Sequence, residues 1–200
     1  MSPEAGRLLV LQTAAAAFNR QGFHTTSLDS IARTLQVTKP VLYAYVRSKD
    51  DIILECVRAG LTALEAASRN AITVSTRGSV LLRAIMMAYG DVVTQEFGRC
   101  VILTGDETLP ADFRREFRLI KREIDLCFRE AVARGVADGS LRPCDPKFTA
   151  FALAGALSWI ARWYRPDGLL SATEVVAQCV QPLLAGLEIT DEASAATPSY

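Results

Sequence analysis

Residues Gly22 to Ile53 read GFHTTSLDSIARTLQVTKPVLYAYVRSKDDII, and the punctuation of this stretch decides the fold. Gly22 follows the apolar stripe Leu8, Leu11, Ala15 and Phe18, and stops a first helix after Asn19-Arg20-Gln21. Ser27 stands just before Leu28, Ile31, Ala32 and Leu35, the natural N-cap of a short second helix whose positive end is favoured by Asp29. Thr38 then caps a third helix with Pro40 in its first turn, where a missing N–H is harmless. Only Gln36 and Val37 lie between them. Two short helices joined this tightly form a helix-turn-helix, the pattern that sets its second helix in the major groove of DNA. Ala32 is small where the two helices must cross, and Val37 and Leu42 plug either side of the turn. The third helix leaves Thr38, Lys39, Val41, Tyr43 and Ala44 exposed, with Tyr45 nearer its edge. Hydroxyl, ammonium and aromatic groups of this kind reach phosphates and base edges.

Outward from this stretch, apolar positions recur at spacings of three and four rather than two, so the chain is predicted to be all-α. Asp50 and Asp51 open a longer helix running to about Arg69, followed by a turn at Thr73 to Thr76. A further helix covers about Arg77 to Glu96, and Phe97 to Thr108 forms a short helix or loop. Pro110 starts a long charged helix ending at Gly135. Asp138-Gly139 and Pro143 separate it from a helix that begins at Asp145-Pro146 and stops before Pro166. Ser171 and Glu174 make a capping box for a last helix ending near Leu187, and the tail from Asp191 reads as disordered. The division expected is a DNA-binding domain over 1–49, a second helical domain over 50–190 and the tail over 191–200.

Composition narrows the function. The 200 residues are 50% hydrophobic and carry no net charge, which excludes a disordered chain and a histone-like polyelectrolyte. Residues 1–49 nevertheless hold six basic side chains (Arg7, Arg20, Arg33, Lys39, Arg47, Lys49) against Glu4 and Asp29, a net +4 that the remainder balances. His24 is the one histidine, more fittingly a loop residue than a catalyst, and the five cysteines (Cys56, Cys100, Cys127, Cys144, Cys179) include no CxxC pair. That speaks against a zinc site and against nucleophile-base catalysis, and reads as buried thiols in a reducing cytosol. The uncharged stretch Phe148 to Ala161 is too short to span a bilayer, and Leu8 to Asn19 reads as a core helix rather than a signal peptide. A cytoplasmic protein with no metal and no cofactor is expected.

The order and spacing of the Gly-Phe pair at 22–23, Thr-Ser at 26–27, Ile-Ala at 31–32, Leu-Tyr at 42–43 and Ser-Lys-Asp at 48–50 closely resemble the DNA-binding domain of the TetR family of bacterial transcriptional regulators. Two departures stand out: Gln36 occupies the turn position where the family usually has glycine, and Val46 replaces the commoner phenylalanine. The resemblance implies phosphate contacts by Thr25 or Thr26, by Tyr43 and by Lys49, and base reading by Thr38, Lys39, Pro40, Val41 and Ala44. Core aromatics for Tyr43 and Tyr45, and a merely solvated Lys39, are the competing readings.

The resemblance further implies a homodimer in which the last two helices pair with their counterparts. Ala150, Ala154, Gly155 and Ala156 would permit close approach, and Trp159, Trp163, Val175, Val176, Cys179, Val180, Leu183, Leu184 and Leu187 supply apolar surface. It also implies an effector cavity between the helices from 50, 77 and 110. Candidate lining residues are Leu61, Leu64, Ile85, Met86, Tyr89, Val93, Phe97, Cys100, Leu103, Phe113, Phe117, Ile120 and Ile124, against the alternative that each is ordinary core. The stretch from Asp145 through Trp159, Arg162, Trp163, Tyr164 and Pro166 to Leu170 is similar to a subset of the family tied to acyl-CoA catabolism. Arg114, Arg115, Arg118, Lys121 and Arg122 are then either a solvated face or, with Arg162, partners for an anionic head group. The reading is a ligand-responsive repressor that binds a palindromic double-stranded operator as a dimer. Its rivals are an effector-independent DNA-binding regulator or activator and, remotely, an all-helical enzyme.

Overall fold

A computed structural model describes residues 3–189, with side chains from residue 5 onward. The expected tail from Asp191 lies outside the described residues. The helices run α1 (Pro3–Gln21), α2 (Leu28–Thr34), α3 (Lys39–Tyr43), α4 (Lys49–Val74), α5 (Gly78–Thr94), α6 (Glu96–Thr104), α7 (Ala111–Ala137), α8 (Pro146–Trp163) and α9 (Ala172–Ala185). Among the described residues there is no strand, only one antiparallel bridge between Leu141 and Glu188. None of the described helices is long and apolar enough to cross a membrane.

Local chemistry sets several helix starts. Ser27 caps α2 in a box closed by Ser30, and Ser171 with Glu174 does the same for α9. Asp145 accepts from the backbone N–H groups of Lys147 and Phe148 ahead of Pro146. Thr38 occupies the N-cap position of α3, yet its hydroxyl makes no capping hydrogen bond. Gly22 ends α1 at φ +89°, a conformation that glycine adopts without strain. Gln36 holds φ +55° in the helix-turn-helix turn. An L side chain there costs roughly 1–2 kcal/mol, so Gln36→Gly is expected to stabilise the chain by about 1 kcal/mol, after glycine's extra unfolded-state entropy is subtracted. A urea titration checks this, with a midpoint shift upward at unchanged slope.

Several boundaries differ from those predicted. Helix α4 continues past Arg69 to Val74 because Ala71 is buried and anchors the extra turn. Gly135 lies inside α7 rather than at its end, since its bare Cα lets the backbone of Gly78 and the side chain of Leu141 pack against it. Residues 96–104 form a true helix. In α1 the buried stripe is Val10, Leu11, Ala14, Ala15 and Phe18, whereas Leu8 is exposed.

Buried apolar side chains form two clusters. One joins α1, α2 and α3 to Ile52, Ile53, Leu54, Cys56 and Val57 of α4, and takes in Cys100, Val101, Leu109 and Phe117. The other holds Leu64 and Ala71 of the same α4 with α5, the second half of α7, α8 and α9. Helix α4 is therefore shared by both cores. Ion pairs reinforce its first half: Arg7 of α1 meets Glu55 at 2.9 Å, Glu55 meets Arg58 at 2.6 Å, and Arg58 also pairs with Glu116 of α7. Burial alone would raise the Glu55 carboxyl above its ordinary pKa, but hydrogen bonds from Arg7 and Arg58 hold it below that value.

Candidate DNA interface and effector cavity

Helix α3 and its N-cap present Thr38, Lys39, Pro40, Val41, Tyr43 and Ala44 to solvent, with Leu42 turned inward. Tyr45 is half-buried and its ring lies over Gly6 of α1, where a Cβ would collide with the phenol. Its place is therefore structural, which is the core-aromatic reading weighed for it and not the DNA contact. Lys39 donates to Asp29 of α2 at 2.6 Å, and that hydrogen bond and charge raise its pKa above the ordinary lysine value.

The loop before α2 separates the two threonines. Thr26 is buried and its hydroxyl donates to the carbonyl of Gly22 at 2.9 Å, so it staples the turn. Thr25 is exposed, and its hydroxyl donates to the carbonyls of Gln21 and Gly22, so it has to leave them before it can donate to a phosphate. Lys49 differs from expectation. Its ammonium donates to the carbonyls of Phe23 at 2.6 Å and Thr26 at 2.9 Å, and lies 4.7 Å from the centre of the Phe23 ring. The irregular turn between α1 and α2 leaves these carbonyls without helical donors, and Lys49 satisfies them. In this structure it shapes the loop that carries Thr25 instead of projecting toward a phosphate.

Between α4, α5, α6 and α7 lies an apolar cavity of about 40 Å³. Its walls are Cys56, Val57, Gly60 and Leu64 from α4, Tyr89, Val92 and Val93 from α5, Gly98, Val101 and Ile102 from α6, and Lys121 and Ile124 from α7. Of the residues proposed from sequence, Leu64, Tyr89, Val93 and Ile124 belong to it. Ile85 and Met86 are core between α5 and the last helices. Cys100 and Phe117 are core on the DNA-binding side, with Phe97, Phe113 and Ile120 packed against them. Leu103 is exposed and Leu61 half-buried off the wall. Helix α7 crosses α4 such that the cavity faces its turn at 121–124, one turn beyond Phe117 and Ile120. Gly60 and Gly98 are not among the residues expected from sequence, although glycine inside a helix marks a close approach or an opening.

Lys121 is the charged side chain on the wall, with its ammonium 5.5 Å from the centre of the Phe117 ring. The buried Tyr89 hydroxyl hydrogen-bonds Ser158 of α8 at 2.7 Å, so the cavity wall is tied to α8. The Cys56 thiol, hydrogen-bonded to Cys100 and buried, is pushed far above the ordinary thiol range, which makes it a poor nucleophile. Cys127, Cys144 and Cys179 are only half-buried.

The basic run on α7 divides. Arg114 donates to the carbonyls of Asp106, Glu107 and Leu109, and Arg118 pairs with Asp106 at 2.5 Å. Both secure the loop before α7. Arg115 and Arg122 line a shallow outer face with Leu119. A second, mainly basic hollow at the end of α8 is lined by Arg99, Arg162, Trp163, Arg165 and the acidic Asp167, and the Nε of Arg99 is buried without a hydrogen-bond partner among the described residues.

Helix α8 turns Phe148, Phe151, Gly155, Trp159 and Trp163 outward; Trp159 is 62% exposed. On α9, by contrast, Val175, Val176, Val180 and Leu184 are buried within the same chain, as is Ala150 on α8. These residues were expected at a subunit interface, but α9 spends its apolar stripe on α5, so they cannot be interface surface.

Comparison with known proteins agrees with this geometry. A family model described as bacterial regulatory proteins, tetR family, matches residues 10–56, and one described as tetracyclin repressor-like, C-terminal domain, matches residues 81–187. The HTH-type transcriptional repressor KstR2 of Mycolicibacterium smegmatis is 26% identical over 189 residues, covering 92% of each chain. The crystal structure of the TetR family regulator PfmR from Thermus thermophilus superposes with a TM-score of 0.77 at 29% identity, over 90% of this chain and 99% of that one. AibR in complex with isovaleryl coenzyme A and operator DNA gives a TM-score of 0.74 at 26% identity, over 90% and 98%.

Proposed function

Because the chain belongs to the TetR family of bacterial regulatory proteins, and is thus a DNA-binding transcriptional regulator rather than an enzyme, we propose that it is a cytoplasmic homodimeric repressor released from a palindromic operator by an acyl-CoA. One observation carries the allosteric part: α4 lines the cavity with its middle turns and builds the core of the DNA-binding helices with its first ones.

A cavity of about 40 Å³ holds about three waters. An acyl chain would have to part α4 from α6 and α7, and movement of α4 would carry α1–α3 with it through the shared core and the Arg7–Glu55–Arg58–Glu116 ion pairs. In a dimer the recognition helices sit at a fixed separation that must match about one turn of DNA. An effector need bias that separation by only about 1–3 kcal/mol to change operator affinity some 5- to 150-fold. DNA contacts are assigned to Thr25, Thr38, Lys39, Pro40, Val41, Tyr43 and Ala44, all of which are exposed.

For the effector class, the walls supply apolar surface with one cation at Lys121, and the hollow of Arg99, Arg162 and Arg165 offers forked donors suited to phosphate. The buried, unpartnered Nε of Arg99 is the kind of group a bound anion satisfies. AibR, similar over nine-tenths of this chain, was crystallised with isovaleryl coenzyme A. The test titrates a preformed complex of protein and operator with a CoA thioester and with its matching free acid. Release by the thioester at a concentration at least about tenfold lower than the acid is expected. Equal potency, or no release at about ten times a micromolar Kd, would remove this effector class. The small volume of the cavity favours one second reading, a regulator with no effector, and no release by any ligand alongside intact operator binding would support it.

A further inference from the structure

Helices α2 and α3 and the turn between them carry one carboxylate, Asp29, and α3 carries one cation, Lys39. The two are paired at 2.6 Å, with both side chains about half-exposed at 49% and 62%. We infer that Asp29 is a specificity-determining residue for DNA: it withholds the Lys39 ammonium from phosphates and aims it at base edges. This rests on the assignment of α3 as the recognition helix.

The physical basis is competition for one ammonium. Non-specific binding is driven by phosphate neutralisation and counterion release. A Lys39 already neutralised by Asp29 contributes little to that term, and the carboxylate itself repels a nearby strand. Specific binding uses the ammonium differently. It has three N–H donors; one stays on Asp29, and two remain for adjacent acceptors such as the N7 and O6 of a guanine. Holding one donor on Asp29 also confines a long, rotamer-rich side chain at the first position of α3, so fewer conformations are lost when the base edge is met. An exposed pair of this type is weak, so the discrimination it adds is modest.

Asp29 is dispensable for folding of its own helix. The start of α2 is held by the reciprocal Ser27 and Ser30 box, and the Arg33 Nε reaches the backbone carbonyl of Asp29, not the carboxylate. Asp29→Asn therefore changes charge with little effect on the fold, and Asp29→Ser serves as a second neutral variant.

The experiment measures affinity of the full chain for its selected operator and for a labelled random-sequence duplex over a salt series, in wild type, D29N, K39A and D29N/K39A. D29N is expected to tighten random-duplex binding by about three- to tenfold and to steepen its salt slope by about one per recognition helix, while operator affinity changes less than about threefold, so discrimination falls. In the K39A background D29N relieves only the carboxylate's own repulsion, so it should tighten random-duplex binding clearly less than it does beside Lys39 and leave discrimination unchanged. A D29N effect of the same size with and without Lys39 shows Asp29 to be an undirected surface charge and overturns the inference, as does unchanged discrimination in D29N and D29S alike. Failure of the wild type to prefer any selected duplex over random sequence overturns the recognition-helix assignment and the inference with it.

Discussion

Trp159→Glu is expected to leave a folded monomer that has lost operator affinity by at least about a hundredfold, since linking two half-site readers is worth roughly 10²–10⁴ in avidity. The outward face of α8 presents Phe148, Phe151, Trp159 and Trp163 on one chain, more apolar surface than isolated exposed residues explain. Gly155 between them has open space where a Cβ would stand, so a second helix could approach closely. Tryptophan at the centre of such a patch is the residue type whose loss costs an interface most, and a carboxylate would be buried there without a partner. Sedimentation velocity reads the mass and thermal melting reads the fold. A dimer with wild-type operator affinity would move the interface off α8. Val180 cannot serve as the probe, because it is fully buried against its own chain and a charge there would unfold the protein.

Ile102→Trp carries the second large effect. Ile102 is a half-buried wall residue of the cavity, and an indole in its place fills the space an effector must enter. Operator affinity should stay within about threefold of wild type, while the effector concentration needed for release rises at least about tenfold, which is about 1.4 kcal/mol or more of lost effector binding. Overpacking could itself destabilise the core. Gly60→Ala is therefore the companion variant, since a Cβ there meets only Val92 at 3.4 Å, an ordinary contact. Release of both variants at the wild-type concentration would place the effector elsewhere, the hollow at Arg99 and Arg162 being the first alternative.

What the sequence disclosed follows the range of the interactions involved. The box of Ser171 and Glu174, Asp145 ahead of Pro146 and the stop at Gly22 are settled within four residues, and each stands where its pattern predicts. The positive φ of Gln36 is foreshadowed only by the resemblance, since Gln36 stands where the TetR family usually has glycine. The two cores and the cavity depend on how helices cross. An apolar stripe such as Val175, Val176, Val180 and Leu184 states that a face is buried without stating what buries it. Phe117 and Ile124 share one inward stripe on α7, yet Phe117 packs on the DNA-binding side and Ile124 on the cavity. Lys49 is a phosphate contact only by resemblance to the family. Which carbonyls the loop at 23–26 leaves unsatisfied can be known only once the loop has a shape.

Selection of duplexes from a random pool by the full chain, followed by footprinting of the enriched sequence, tests most directly whether the protein is a dimeric reader of an operator. The expected result is a palindrome whose half-site centres lie about 34 Å, one helical turn, or a multiple of it apart. Enrichment of no sequence above the random pool, or protection confined to a single half-site, would contradict it.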